Sequence, residues 1–187
     1  MRARQLELSL QETKVHDRIF VVLSSKENVE RLLGPRASEF HMVDQSNDYM
    51  ELCAISVLKN SLFSLEATFK FNALMEKFSS NCTSSQSVLV CTGYEPCHQA
   101  KVLFLLGCHL VISRGLRFEE TLIAFRPFWE LFGCCSPGVN WIENCWLAIC
   151  CVKRLKWIDF SDDESDRNDD WACEAELQMD EYMHYAR

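Results

Sequence analysis

Hydrophobic and polar positions alternate along this chain in two rhythms, a short one that reads as strand and a longer one that reads as helix. Residues 19–23 (Ile-Phe-Val-Val-Leu) form a β-branched and aromatic run between Asp17-Arg18 and Ser24-Ser25, which predicts a buried strand. The stretch 28–33 stops at Gly34-Pro35, a turn signal, and residues 40–43 predict a second, shorter strand. From 62 to 78 the period becomes helical. Leu62, Leu65 and Phe69 share one stripe, and Phe71, Leu74, Met75 and Phe78 follow at i, i+3, i+4 and i+7. Residues 79–87 are polar and predict a loop, and 88–91 (Val-Leu-Val-Cys) are short and apolar enough for a central strand. The first 14 residues carry no sustained period and are expected to fray or to form a short helix.

After the strand at 88–91 comes the turn Thr92-Gly93-Tyr94-Glu95, and then a helix that opens at Pro96 and runs to about residue 113. Proline suits a first helical turn, where its missing donor would be unpaired anyway. That helix is apolar nearly all round and is therefore expected to be buried. Residues 118–132 predict another helix, amphipathic or interrupted at Pro127, and Ser136-Pro137-Gly138 a turn. The last helix spans 141–156. Ile142, Cys145, Trp146, Ile149 and Val152 share its apolar face, and Lys153, Arg154 and Lys156 stand near its negative dipole end. The order β, β, α, β, α, α, α describes an α/β or α+β layer fold, a small mixed sheet covered by helices.

With 187 residues, 48% of them hydrophobic and 25% charged, the chain suits one core. The expected division is a flexible N-terminus at 1–14, a globular domain at 15–158 and an acidic C-terminal segment at 159–187 that ends in a linker-like helix. Eleven cysteines would suggest a disulfide scaffold, but the number is odd and the N-terminus lacks the apolar core of a signal peptide. Cys108, Cys145 and Cys150 also lie inside apolar helical patterns, where free thiols act as small buried hydrophobes. The expected compartment is reducing and intracellular, nucleus or cytoplasm. The longest uncharged apolar run, 102–112, contains His109 and is too short to span a bilayer, so no membrane partner is expected.

Charge changes the picture most. Between 159 and 181 eleven acidic residues face one base, Arg167. That local balance of −10 leaves about +2 for the rest of a chain whose net charge is −8. Such a block is usually a solvated, self-repelling segment; the sharper expectation is a basic protein partner. Ser161 and Ser165 stand in this acidic context as phosphorylation candidates. No basic stripe with interleaved aromatics is present, so nucleic acid is not an expected partner. There is no Cys-x-x-Cys pair, and adjacent Cys134-Cys135 are poor tetrahedral chelators, so no metal is expected. No Gly-rich nucleotide loop exists and no cofactor is expected. His98 reads as a solvated or capping residue, and His109 as a satisfied core residue.

A cysteine ending a strand, a tight loop, and a helix whose N-terminus faces that loop is the arrangement that cysteine phosphatases use. Loop amides and the helix dipole hold the phosphate dianion and lower the thiol pKa, while an Arg six residues after the Cys grips the phosphoryl oxygens. Here the loop runs Cys91-Thr92-Gly93-Tyr94-Glu95-Pro96-Cys97, so Cys97 occupies the Arg position. Glu95 adds negative charge where a dianion would sit, and Pro96 removes an amide donor. The expectation is a degenerate phosphate loop, with no catalytic residue and Cys91 a structural thiol. The alternative is an active phosphatase that uses Cys91 with an Arg recruited from elsewhere.

The stretch from Val88 through Gly107-Cys108 to Phe118-Glu119-Glu120-Thr121 resembles the N-terminal half of the cell-division-cycle-fourteen dual-specificity phosphatases, the mitotic-exit phosphatases. Met179-Asp180-Glu181-Tyr182-Met183-His184-Tyr185 is similar to the Asp-Glu-Tyr-x-His-Tyr segment that precedes their catalytic domain. The resemblance implies a phosphatase-like N-terminal domain without a catalytic loop, because the family's nucleophile lies in its next domain. It also implies a protein partner, either a phosphatase catalytic domain or a basic segment. Met183 and Ala186 replace residues usually acidic in that family, and 159–176 looks like an insertion. Asp180 and Glu181 remain as partner-binding candidates.

Overall fold

The computed structural model describes residues 12–44, 65–134 and 139–156. Strands β1 (Thr13–His16), β2 (Ile19–Val22), β3 (Phe40–Asp44) and β4 (Ser87–Cys91) form one mixed sheet in the order β1-β2-β4-β3. β1 runs antiparallel to β2, while β2 and β3 both run parallel to β4, so β4 is central. The fold is α/β, as the pattern predicts. β1 departs from the expectation: Thr13 and Lys14 were to lie in a frayed or helical N-terminus but pair with Val21 and Phe20. One buried side chain, Val15, is too little for a periodic signal; pairing to β2 creates the strand.

The period-2 alternation of the strands divides the molecule. Ile19, Val21, Val88, Val90 and Val43 face a large helical layer, whereas Val22, Leu89 and Cys91 face Val29 and Leu33 of α1 (Lys26–Leu33). Ser25 caps α1 by accepting the Asn28 amide at 3.4 Å, and Gly34 ends it at φ +54. The expected turn at Gly34-Pro35 is a 3₁₀ helix (Gly34–Glu39), its proline at the start.

The large layer comprises α2 (Leu65–Asn81), α3 (Pro96–Ile112), α4 (Phe118–Phe125), α5 (Trp129–Cys134) and α6 (Val139–Leu155). α2 continues to Asn81, past the expected loop start. The helix expected over 118–132 is broken by a 3₁₀ turn (Arg126–Phe128) around Pro127, which cannot donate within a helix. The expected turn at 136–138 lies outside the described residues. α3 is the hub, with thirteen of its 17 residues buried and α2, α4, α5 and α6 packed around it. On α6, Ile142, Cys145, Trp146, Ile149 and Val152 are buried, as their spacing predicts. Trp146 fits because position 107 is glycine: a Cβ there would lie 2.4 Å from the indole. The indole N–H donates to the Phe104 carbonyl at 3.0 Å, and the ring meets Phe125 and Phe132 at centroid distances of 5.1 and 5.9 Å.

Candidate functional site

Open α/β sheets place their sites beyond the carboxyl ends of the central strands. Here that position is the loop joining β4 to α3. Cys91 ends β4 in register with Val22 and Asp44, and it is fully buried among Val22, Val29, Leu33 and Leu89 on the face covered by α1. The thiol therefore belongs to a side core rather than to the loop's mouth.

Two of the loop amides, those of Thr92 and Gly93, have partners in the sheet connection. Thr92 N–H donates to the Val22 carbonyl at 3.1 Å and its hydroxyl to the same oxygen at 3.2 Å, while Gly93 N–H donates to Ser24 O at 3.0 Å. These bonds continue the β2–β4 pairing past the sheet's end. Gly93 then turns at φ +77, a conformation that favours glycine. Its carbonyl accepts from Gln99 Nε2 at 2.8 Å, so α3 grips the loop from above.

Tyr94 is 66% exposed and bridges to the neighbouring connection, accepting a hydrogen bond from Ser25 Oγ at 3.2 Å. Hydrogen bonds from Ser25, and then Ser24, push its phenol below the ordinary tyrosine range. Asn28 extends the tie, donating from Nδ2 to Ser24 Oγ at 2.8 Å and accepting from Arg31 at 2.6 Å. Glu95 is the N-cap residue of α3 but provides no side-chain cap, and Pro96 brings no donor. Cys97 is exposed in the first turn. His98 is half-buried rather than solvated, and burial lowers its pKa. It lies close to Gly93, whose added Cβ would sit 4.0 Å from its ring.

The structure thus gathers Cys91, Cys97 and His98 at one strand-to-helix junction, with the thiol of Cys91 beneath it. Asp180, Glu181, Ser161 and Ser165 lie outside the described residues. Among the described residues no group of three or more His, Cys, Asp or Glu could hold a metal ion. No described helix is long and apolar enough to cross a membrane.

A second polar cluster lies at the opposite end of α3. His109 is fully buried, with Nδ1 2.9 Å from Asn72 Oδ1, which also accepts from Ser113 Oγ at 2.8 Å. That geometry assigns the proton to Nδ1. Nε2 has no partner among the described residues, so the expected satisfied histidine is satisfied on one side only. Glu76 reaches to within 4.0 Å of the ring and 3.7 Å of Arg114. Asn72, a polar position between the apolar Phe71 and Met75 of α2, is the partner that the sequence pattern did not single out. No protein-family model matches the chain, and no curated protein matches it either.

Proposed function

We propose that the chain is a catalytically inactive phosphatase-like domain that acts as a protein-interaction module. The observation that carries this reading is the use of the Thr92 and Gly93 amides on Val22 and Ser24. A phosphate loop turns such amides toward the dianion, and this one turns them into its own sheet. Three further features support it. The Cys91 thiol is buried under α1, Cys97 stands where a gripping guanidinium would be needed, and Glu95 would repel an oxyanion.

Binding is then the remaining role. The acidic segment from 159 to 181, with Asp180 and Glu181 near its end, suits a basic protein segment or a phosphatase catalytic domain, in nucleus or cytoplasm. Phosphorylation at Ser161 or Ser165 would deepen its charge.

Incubation of the purified chain with an aryl phosphate tests the first half. No hydrolysis above buffer is expected, and turnover that disappears in Cys91→Ser would overturn the reading. Affinity capture from cells tests the second half. Partners retained by the full chain and released when the acidic residues between 159 and 181 are changed to Asn or Gln are expected; unchanged capture would remove the acidic segment from the account.

A further inference from the structure

Among the described strands β1 lies at the edge of the sheet, paired on one side with β2. Along it runs an open groove of about 570 Å³, walled by Val15 of β1 and by Leu116, Ile123 and Ala124 of the turn and helix that follow α3. Ile123 is 73% exposed, the most exposed of the large apolar side chains described. A smaller cavity of about 230 Å³ shares His16 and Arg114 with the groove and is also lined by Arg18. Asp17 and Glu120 also line these cavities, but Glu120 is held by Arg117 at 3.0 Å. Arg18 donates to the Thr83 and Gln86 carbonyls, and Arg114 donates to Ser79 Oγ at 2.7 Å and lies 3.7 Å from Glu76, so Arg18 has no carboxylate among these contacts. An apolar floor beside two guanidiniums fits a ligand that is apolar on one side and acidic on the other.

This chain carries such a segment. Trp171, Ala175, Met179 and Tyr182 fall at i, i+4, i+8 and i+11, one stripe at helical spacing, with Asp169, Asp170, Glu174, Glu176, Asp180 and Glu181 around it. The point of departure is favourable too. α6 ends at Leu155 beside the end of α3, because Lys153 Nζ donates to Val111 O at 2.7 Å and to Ile112 O. Arg114 follows Ile112 by two residues. From Lys156 to Trp171 an extended chain reaches about 50 Å, several times the roughly 10 Å width of a helix. The rest of the chain, at about +2, opposes the segment's −10 in sign.

We propose that the groove between β1 and α4 binds residues 169–185 of the same chain, with the stripe against Ile123 and the carboxylates toward Arg18 and Arg114. The acidic segment would then be held in cis until a basic partner draws it out. This inference does not rest on the phosphatase-like reading and can fail while that reading stands.

The test uses the full chain with a photo-crosslinking amino acid at position 123. Crosslinks within single chains to residues 169–185 are expected, with yield reduced several-fold by molar salt and by Trp171→Ala. Crosslinks to other parts of the chain, dimer products from a second copy, or a yield indifferent to Trp171→Ala would each overturn the proposal. Hydrogen exchange on the unmodified chain gives a second reading free of any change at 123. Amides of 117–125 and 169–185 are expected to lose protection together in Trp171→Ala, and unchanged exchange in either stretch would overturn it.

Discussion

Gly107 and His109 are two residues apart on α3 and set two different limits on the core. At Gly107 the limit is space: the Trp146 indole occupies the volume a Cβ would need. Gly107→Ala is expected to cost about 3 kcal/mol through overpacking, measurable as a lower urea midpoint with an unchanged slope. At His109 the limit is charge. Burial, then Arg114 and His16, hold its pKa at about 3, so the folded imidazole is neutral. In the unfolded chain it takes up a proton near pH ~6.5, so its contribution to stability is intact above that pH and falls away as pH drops toward ~3. About 2 to 3 kcal/mol should be lost between roughly pH 6.5 and 4.5, and His109→Gln should flatten that slope in pH-dependent urea melts. Its place in an apolar helical run marked His109 as a core residue. Its pairing with Asn72, 37 positions earlier, was not legible, because nothing local brings α2 and α3 together.

Among the elements, α3 and β4 were the most readable, and for a physical reason. A fully buried strand and a fully buried helix leave no polar face to blur the pattern, and Pro96 marks the boundary between them. β1 was unreadable because its identity comes from an edge pairing, and the break at Pro127 was foreseen only as one of two outcomes. The ends of helices matter as much as their faces. Lys153 of α6 donates to the Val111 and Ile112 carbonyls, covering acceptors that the end of α3 leaves open. Lys153→Met keeps the apolar stem and removes the donor. It should destabilise the fold by about 2 kcal/mol in thermal or urea melts, more than Lys156→Met, whose side chain is exposed.

For the whole molecule, burial grades the described thiols, with Cys82 and Cys150 in between. Cys97, Cys134 and Cys151 are exposed, whereas Cys91, Cys108 and Cys145 are buried. Burial raises Cys108 well above the ordinary thiol range, and the neighbouring Cys145 and Cys150 add to this. Timed alkylation read by mass spectrometry should label the first three rapidly and the second three only at the rate of global opening. Rapid labelling of Cys91 would contradict its place beneath α1. At the candidate site the strand end at Cys91 and the helix start at Pro96 were legible in the sequence. What the sequence could not show was the destination of the loop's backbone donors, since that depends on Val22 and Ser24, some 70 residues upstream.

The two bonds from Thr92 and Gly93 to the end of β2 and the residue two beyond it have a consequence for any attempt to build an anion site at this loop. Supplying a cation through Cys97→Arg would leave both amides committed and the sulfur enclosed, so the substituted protein should neither turn over aryl phosphate nor retain vanadate. An anion cradle here would require the ladder to be unzipped by two rungs as well. One substitution therefore leaves this junction shut to anions, and only a change that also frees its backbone would open it.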